Sequence, residues 1–264
     1  MSISSLGIAV STLFDKYLFD LRGYLIVENA LSPEELAELN RLVDERDLPE
    51  PPLESGRARF GGFLAWDKAF CNLLDHPRIM PLLKFILGDG FRTDHYYGIY
   101  HRAGTGPLGL HGGNTPYDPP EYYHFRNGNM YNGLTVVSWN LMDTGPKHGG
   151  FCCIPGSHKA NYRCPPEIRE AHINAECVVV PEAKAGSVVI FTEALTHGSA
   201  PWTAQHMRRS LLYKYSPAQQ SWSKRYVPPP EGVELTPRQR LLFEQPYFSG
   251  RASLFEDEGT KADY

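Results

Sequence analysis

Residues 91–215 hold a succession of short runs rich in aromatic and β-branched side chains, at 91–102, 134–141, 151–154, 177–180, 187–191 and 210–215, each cut off by Gly, Pro or polar residues. Such side chains pack on pleated surfaces, and the interruptions are where a chain of this kind turns. Helical signals lie ahead of these runs. After a short apolar strand following Gly23, Ser32 stands as N-cap, Pro33 at the first helical position and Glu35 as capping-box partner, with Leu36, Leu39, Leu42 and Val43 on one face. A second helix is predicted over 77–87, opened by Pro77 and stopped by Gly88. Helices first and strands afterwards predict an α+β fold, with an antiparallel barrel or jelly-roll core braced by N-terminal helices.

A chain of 264 residues with 42% apolar content can bury one sizeable core, so a single domain over 1–264 is expected. The formal charge of -4, without a Lys/Arg cluster beside an aromatic stripe, excludes a nucleic-acid polymer as partner. No apolar run approaches the roughly 20 residues a membrane-spanning helix needs, and no basic region precedes the mildly apolar start, so neither a membrane partner nor a leader is expected. Five cysteines, Cys71, Cys152, Cys153, Cys164 and Cys177, lack the short spacing of a zinc site and fit a reducing, cytoplasmic compartment. Cys152 and Cys153 adjoin on a predicted strand, so their side chains should point to opposite faces.

Residues 113–132, GNTPYDPPEYYHFRNGNMYN, show no periodic pattern; an insert of this length without structure of its own is commonly a lid or binding loop. The tail from residue 228 is rich in Pro and charge, with a short helix predicted over 237–244.

Histidines are usually hydrogen-bonded or surface residues, and only context singles out two of the ten. His111 follows a Gly/Pro turn in GTGPLGLHGG, and His197 closes AGSVVIFTEALTH, so both stand where a β-scaffold meets a loop. Two imidazoles from separate strands suit iron(II), whose oxygenase sites use two histidines and a carboxylate on one face and leave positions for a chelating cosubstrate and dioxygen. Arg208, in MRRSLLYKYSP, offers a guanidinium that can grip the distal carboxylate of 2-oxoglutarate through two parallel hydrogen bonds; its competing reading is a surface ion pair. Ser199 projects to the same side as His197 if that segment is extended.

The blocks GYLIVENALSPEEL, VVSWNLMD, GGFCCIPGSHK, AGSVVIFTEALTHGSAPW and RRSLLYKY together resemble the phytanoyl-CoA dioxygenase family in order and spacing, over roughly residues 20–216. The resemblance implies a double-stranded β-helix, iron(II), 2-oxoglutarate and O2, with His111 and His197 as metal ligands and Arg208 and Ser199 holding the cosubstrate. Hydroxylases of that family carry His-x-Asp at the first motif, whereas this chain reads His111-Gly112-Gly113. Glycine brings no donor, and the same replacement marks the halogenases of the superfamily, in which chloride binds the metal; the resemblance thus implies a halide at Gly113 and chlorination of an unactivated carbon. Three alternatives stand beside it. Asp94, Asp118 or Glu121 completes an ordinary triad, water fills the gap and the product is hydroxylated, or the fold binds a ligand without turnover. The HGG signature with its insert is most similar to halogenases acting on adenine nucleotides. A small-molecule substrate is therefore expected, with Tyr117 and Tyr123 as stacking surfaces, alongside Tyr122 and Tyr131, and with His124 and Arg126 as phosphate partners. Trp139, and His101 with Tyr97, are candidates for pocket wall or core, and His158 is expected to fix a turn.

Overall fold

The computed structural model describes residues 12–255; both ends of the expected 1–264 domain, including the start where no leader is expected, lie outside the described residues. Among the described residues six α-helices form: α1 (Thr12–Arg22), α2 (Pro33–Asp44), α3 (Lys68–Asn72), α4 (Met80–Leu87), α5 (Pro166–Ala171) and α6 (Pro237–Leu241). The strands in chain order are β1 (Tyr24–Val27), β2 (Arg57–Phe60), β3 (Arg92–His101), β4 (Leu108–His111), β5 (Tyr123–Arg126), β6 (Asn129–Asn132), β7 (Thr135–Asn140), β8 (Gly150–Cys153), β9 (Val188–Thr192), β10 (His197–Ala200) and β11 (Arg208–Ser216). The capping box of α2 forms as expected: Glu35 N–H donates to Ser32 Oγ at 3.2 Å, and Ser32 N–H donates to the Glu35 carboxylate at 2.8 Å. The second helix stops at Gly88 but begins at Met80, because residues 77–79 form a turn hung on the His76 carbonyl. Pro81 at the helix start loses only an N–H that would have had no intrahelical partner.

All strand pairings are antiparallel, in a six-stranded sheet of order β1-β9-β7-β11-β3-β2 and a three-stranded sheet of order β4-β10-β8. Alternation along each strand divides the large sheet into two faces. Trp139, Val188, Ile190, Leu211, Tyr213 and Tyr215 join the helices in the main core, each fully buried side chain of this size contributing about 1.5–3 kcal/mol. From the other face Tyr24, Val136, Val189 and Phe191 meet Phe151 and Cys153 of the small sheet, with the Phe151 and Phe191 rings 4.7 Å apart. This is the jelly-roll core, two sheets enclosing a layer of side chains. Cys152 and Cys153 do face opposite ways, into separate clusters.

Several local expectations are corrected. Residues 177–180 form a single bridge, Cys153 to Val179, in place of a strand. The insert at 113–132 has structure of its own: β5 and β6 pair as a hairpin whose two-residue turn, Asn127-Gly128, takes φ of 53° and 80°, as a tight turn matched to strand twist requires. α1, whose Leu13, Phe14, Tyr17, Leu18 and Leu21 recur at helical spacing, and the short strand β2 are elements beyond those expected. The tail helix is α6, shorter than the stretch expected.

Asp94, weighed above as an iron ligand, is engaged elsewhere. Its buried carboxylate accepts hydrogen bonds from Ser216 Oγ at 2.9 Å, Trp222 N–H at 2.7 Å and Ser223 N–H at 3.1 Å, and it faces His95 Nδ1 at 2.7 Å and Arg92 at 3.6 Å. Burial acts to raise its pKa, but the hydrogen bonds from His95, Trp222 and Ser216 outweigh that and hold it below the ordinary carboxylate value. It ties the segment after β11 to β3. Asp94→Ala should cost about 3–5 kcal/mol in denaturant unfolding, since Arg92 is left buried without its partner. The wild-type contribution is complete above the ordinary carboxylate pKa of about 4 and is lost as the pH falls through the lower folded value. An acid titration of unfolding free energy whose slope is smaller in Asp94→Ala than in the wild type checks this.

Candidate metal centre

β10 lies between β4 and β8, and its register places His197 directly opposite His111. Residues remote in sequence thus become cross-strand neighbours, with ring centroids 4.3 Å apart. His111 Nδ1 lies 2.9 Å from the Gly109 carbonyl, and His197 Nδ1 lies 2.7 Å from the Leu195 carbonyl. A carbonyl can only accept, so each Nδ1 carries the proton and each Nε2 keeps a bare lone pair. Metal-binding imidazoles are oriented in this way. Burial pushes the His197 pKa down to about 4, with His111 adding repulsion against the pull of Glu193, so His197 is neutral at physiological pH and able to donate to a metal.

Arg208 opens β11 on the inner face of the large sheet, in register with His101. Its guanidinium is 4% exposed and donates to Ser199 Oγ at 3.0 Å, while its buried Nε–H has no partner. The surface ion-pair reading of this residue is corrected. Burial lowers its pKa to about 10, which leaves it cationic at neutral pH. A desolvated cation without a counter-ion is costly, and it suits a carboxylate ligand. His101 beside it is held neutral, pushed down to about 3 by burial and by Arg208, Arg57 and Arg59.

The conformation of the HGG segment gives its glycines a backbone reason. Gly112 has φ of 72°, and a Cβ there would meet the Glu193 and Leu195 carbonyls at 2.7 Å. Gly113 has φ of 105°, and a Cβ would come within 3.0 Å of Thr196 Oγ1. Both values disfavour any other residue. The segment is pressed against residues 193–197, the turn that delivers His197.

In that turn stands Glu193, which the sequence reading missed. It is 4% exposed; one carboxylate oxygen accepts a short hydrogen bond from Lys214 Nζ, and Oε2 lies 3.8 Å from His197 Nε2. Burial acts to raise the Glu193 pKa, but Lys214 and the nearby imidazoles outweigh it and hold the group well below the usual carboxylate range. The signal that could have found it is a charge at the end of an apolar run, in VVIFTEALTH, with a matching lysine at an inward position of LLYKY. Glu121 is half-buried and pushed up to about 7 by burial, by Glu193 and by Asp118; Asp118 is exposed. Among the described residues no three His, Cys, Asp or Glu side chains converge on a metal position. The fit to iron(II) therefore rests on the two bare Nε2 atoms, and the fit to 2-oxoglutarate on the orphaned Arg208.

The candidate substrate groups separate. Tyr117 stacks on His124 at 5.6 Å, and Tyr122 stacks on the same imidazole at 5.6 Å, with Tyr117 60% exposed. Arg126 lies exposed at the tip of the hairpin. Tyr123 is withdrawn as a stacking surface: it is buried, its hydroxyl donates to Asp20 at 3.0 Å, and its ring abuts His158 and Phe19. His158 donates through Nε2 to the Asp20 carbonyl at 3.0 Å, a bond that ties its segment to α1. Trp139 belongs to the core, edge-on to His76 at 5.1 Å. A cleft of about 400 Å³ adjoins Gly112, Gly113 and Thr196, and another of about 810 Å³ lies between the hairpin, α1 and α4.

Comparison with known proteins agrees with this fold. The ectoine dioxygenase of Nocardia farcinica is 26% identical, over 69% of this chain and 70% of its own length. That of Sphingopyxis alaskensis is 24% identical, over 69% and 68%. Among solved structures, HygX from Streptomyces hygroscopicus, with nickel, 2-oxoglutarate and hygromycin B bound, superposes with a TM-score of 0.70 at 22% identity, covering 81% of this chain and 89% of that one. The epimerase SnoN from nogalamycin biosynthesis gives 0.60 at 17% identity, covering 79% and 84%. Residues 19–210 match the phytanoyl-CoA dioxygenase (PhyH) family, and the chain belongs to that family of iron- and 2-oxoglutarate-dependent oxygenases.

Proposed function

We propose that this enzyme holds iron(II) through His111 and His197, anchors 2-oxoglutarate through Arg208 and Ser199, and hydroxylates an unactivated C–H bond of a small soluble metabolite. The observation that carries the reading is the pair of opposed imidazoles with both Nε2 atoms bare, beside a buried guanidinium that lacks a counter-ion. With iron and 2-oxoglutarate bound, O2 converts the cosubstrate to succinate and CO2 and supplies the oxidising power for attack on the C–H bond. The chain's own part is to orient both imidazoles, with Phe151 and Phe191 packed against the His197 ring, and to hold the cosubstrate by its distal carboxylate.

Hydroxylation is placed ahead of chlorination on two grounds. The glycine at 113 is accounted for by its φ of 105°, and the Glu193 carboxylate stands beside His197 where an added halide would be repelled. Chlorination is the second reading, supported by the absence of a side-chain donor at Gly113, with chloride as the added ligand. The small size of the substrate is supported by relatives whose names carry ectoine and hygromycin B. Within that class, the Tyr117–His124–Tyr122 stack with Arg126 favours a planar, anionic molecule such as an adenine nucleotide. Five unpaired thiols fit a reducing, cytoplasmic compartment.

Anaerobic addition of iron(II) and 2-oxoglutarate should produce the weak visible absorption of the metal-bound chelate; its absence would overturn the whole reading. Chloride should leave that band unchanged, whereas a chloride-dependent shift would bring chlorination forward. Arg208→Ala should weaken 2-oxoglutarate binding by about 2–5 kcal/mol, measured by titration of the same band, because a desolvated carboxylate loses its charged partner. Gly113→Asp should lower the melting temperature of the metal-free protein, as its Cβ is forced towards Thr196 at a φ suited to glycine.

A further inference from the structure

We propose that Glu193 supplies the carboxylate of the iron centre, taking from the β9–β10 turn the role that Gly113 cannot fill from the β4 side; the inference rests on His111 and His197 being the metal ligands. Position carries it first. Glu193 Oε2 lies 3.8 Å from His197 Nε2, the nitrogen that its Nδ1 bond to Leu195 leaves bare. Neighbouring donors on one ion, at bonds of about 2.1 Å, sit about 3 Å apart, within a side-chain rotation of the distance seen. Lys214 takes the other oxygen, Oε1, so the carboxylate is oriented and half-neutralised while Oε2 faces the imidazole. A ligand carboxylate held from behind in this way is the ordinary arrangement of a metal site.

Packing carries it second. Gly112 lies against the carbonyls of Glu193 and Leu195, so the segments bearing His111, Glu193 and His197 form one packed backbone unit, and only the Glu193 side chain has to turn to reach the metal. The alternatives are engaged or remote: Asp94 is bound by Ser216, Trp222 and Ser223, and Asp118 is exposed. Glu121 is disfavoured as a carboxylate by burial and by the like charges of Glu193 and Asp118. The three donors do not yet converge, so metal binding is expected to draw Glu193 inwards.

The test is anaerobic calorimetric titration of iron(II), without 2-oxoglutarate, into wild type, Glu193→Gln, Lys214→Met and the double variant Glu193→Gln/Lys214→Met. The double variant removes both buried charges together and guards against a fold lost to an unpaired lysine. Glu193→Gln and the double variant should lose more than the roughly 10–100-fold that removal of an outer partner costs, and Lys214→Met should fall inside that range. In Glu193→Ala, the iron–2-oxoglutarate band should become sensitive to chloride where the wild-type band is not, because a corner has been opened. Iron affinity within about threefold of wild type in the folded double variant overturns the Glu193 assignment alone, as does loss no greater than that in Lys214→Met. Failure of the wild type itself to bind iron overturns the two-histidine reading beneath it.

Discussion

The antiparallel pairing of β4 with β10 is the contact about which the site is organised. It sets His111 against His197 and brings two bare ring nitrogens to the same side, while each opposite nitrogen is spent on a backbone carbonyl two residues back. Two lone pairs so disposed gain nothing from each other. Both are free to donate to one cation, the role proposed for them above. Gly112 and Gly113 allow the two strand ends to approach closely enough for this, since a side chain at either would strike residues of the 193–197 turn.

A single strand of the large sheet serves the rest of the cavity. Alternation turns Arg208, Ser210, Leu212 and Lys214 of β11 inwards and leaves Arg209, Leu211, Tyr213 and Tyr215 to the helix layer. The Cα atoms of its two cations are about 20 Å apart along the strand, and their circumstances differ. Lys214 is matched by Glu193 inside the protein, whereas Arg208 has only a serine hydroxyl. An internal pair of that kind adds little net stability but fixes geometry; an unmatched guanidinium marks where a ligand's charge belongs.

Much of this architecture could be read along the chain. The capping box of Ser32 and Glu35, the stop at Gly88, the main strands and the placing of Cys152 and Cys153 on opposite faces all follow from signals a few residues long. His111, His197, Arg208 and Ser199 could be picked out because their chemistry is distinctive and each adjoins a strand. The errors fell where a local signal competes with a distant one. Tyr123 looks like any loop tyrosine until α1 arrives with Asp20 and Phe19 to bury it. The hairpin at 123–132 is marked only by Asn127-Gly128, with little apolar alternation on either side.

What the sequence by itself determined is the fold class, which two imidazoles and which arginine are candidates for the site, and the missing oxygen at position 113, all properties of residue type and short-range pattern. Only the tertiary structure decided that Glu193 stands beside His197, that Arg208 is buried without a counter-ion, that Asp94 is spent on Ser216 and the loop after it, and that Gly113 has a backbone reason to be glycine. The reason is physical: which side chains share one cavity depends on strand register and on how two sheets close over each other. Both are settled by burial and pairing summed over distant segments, which no short stretch of sequence contains.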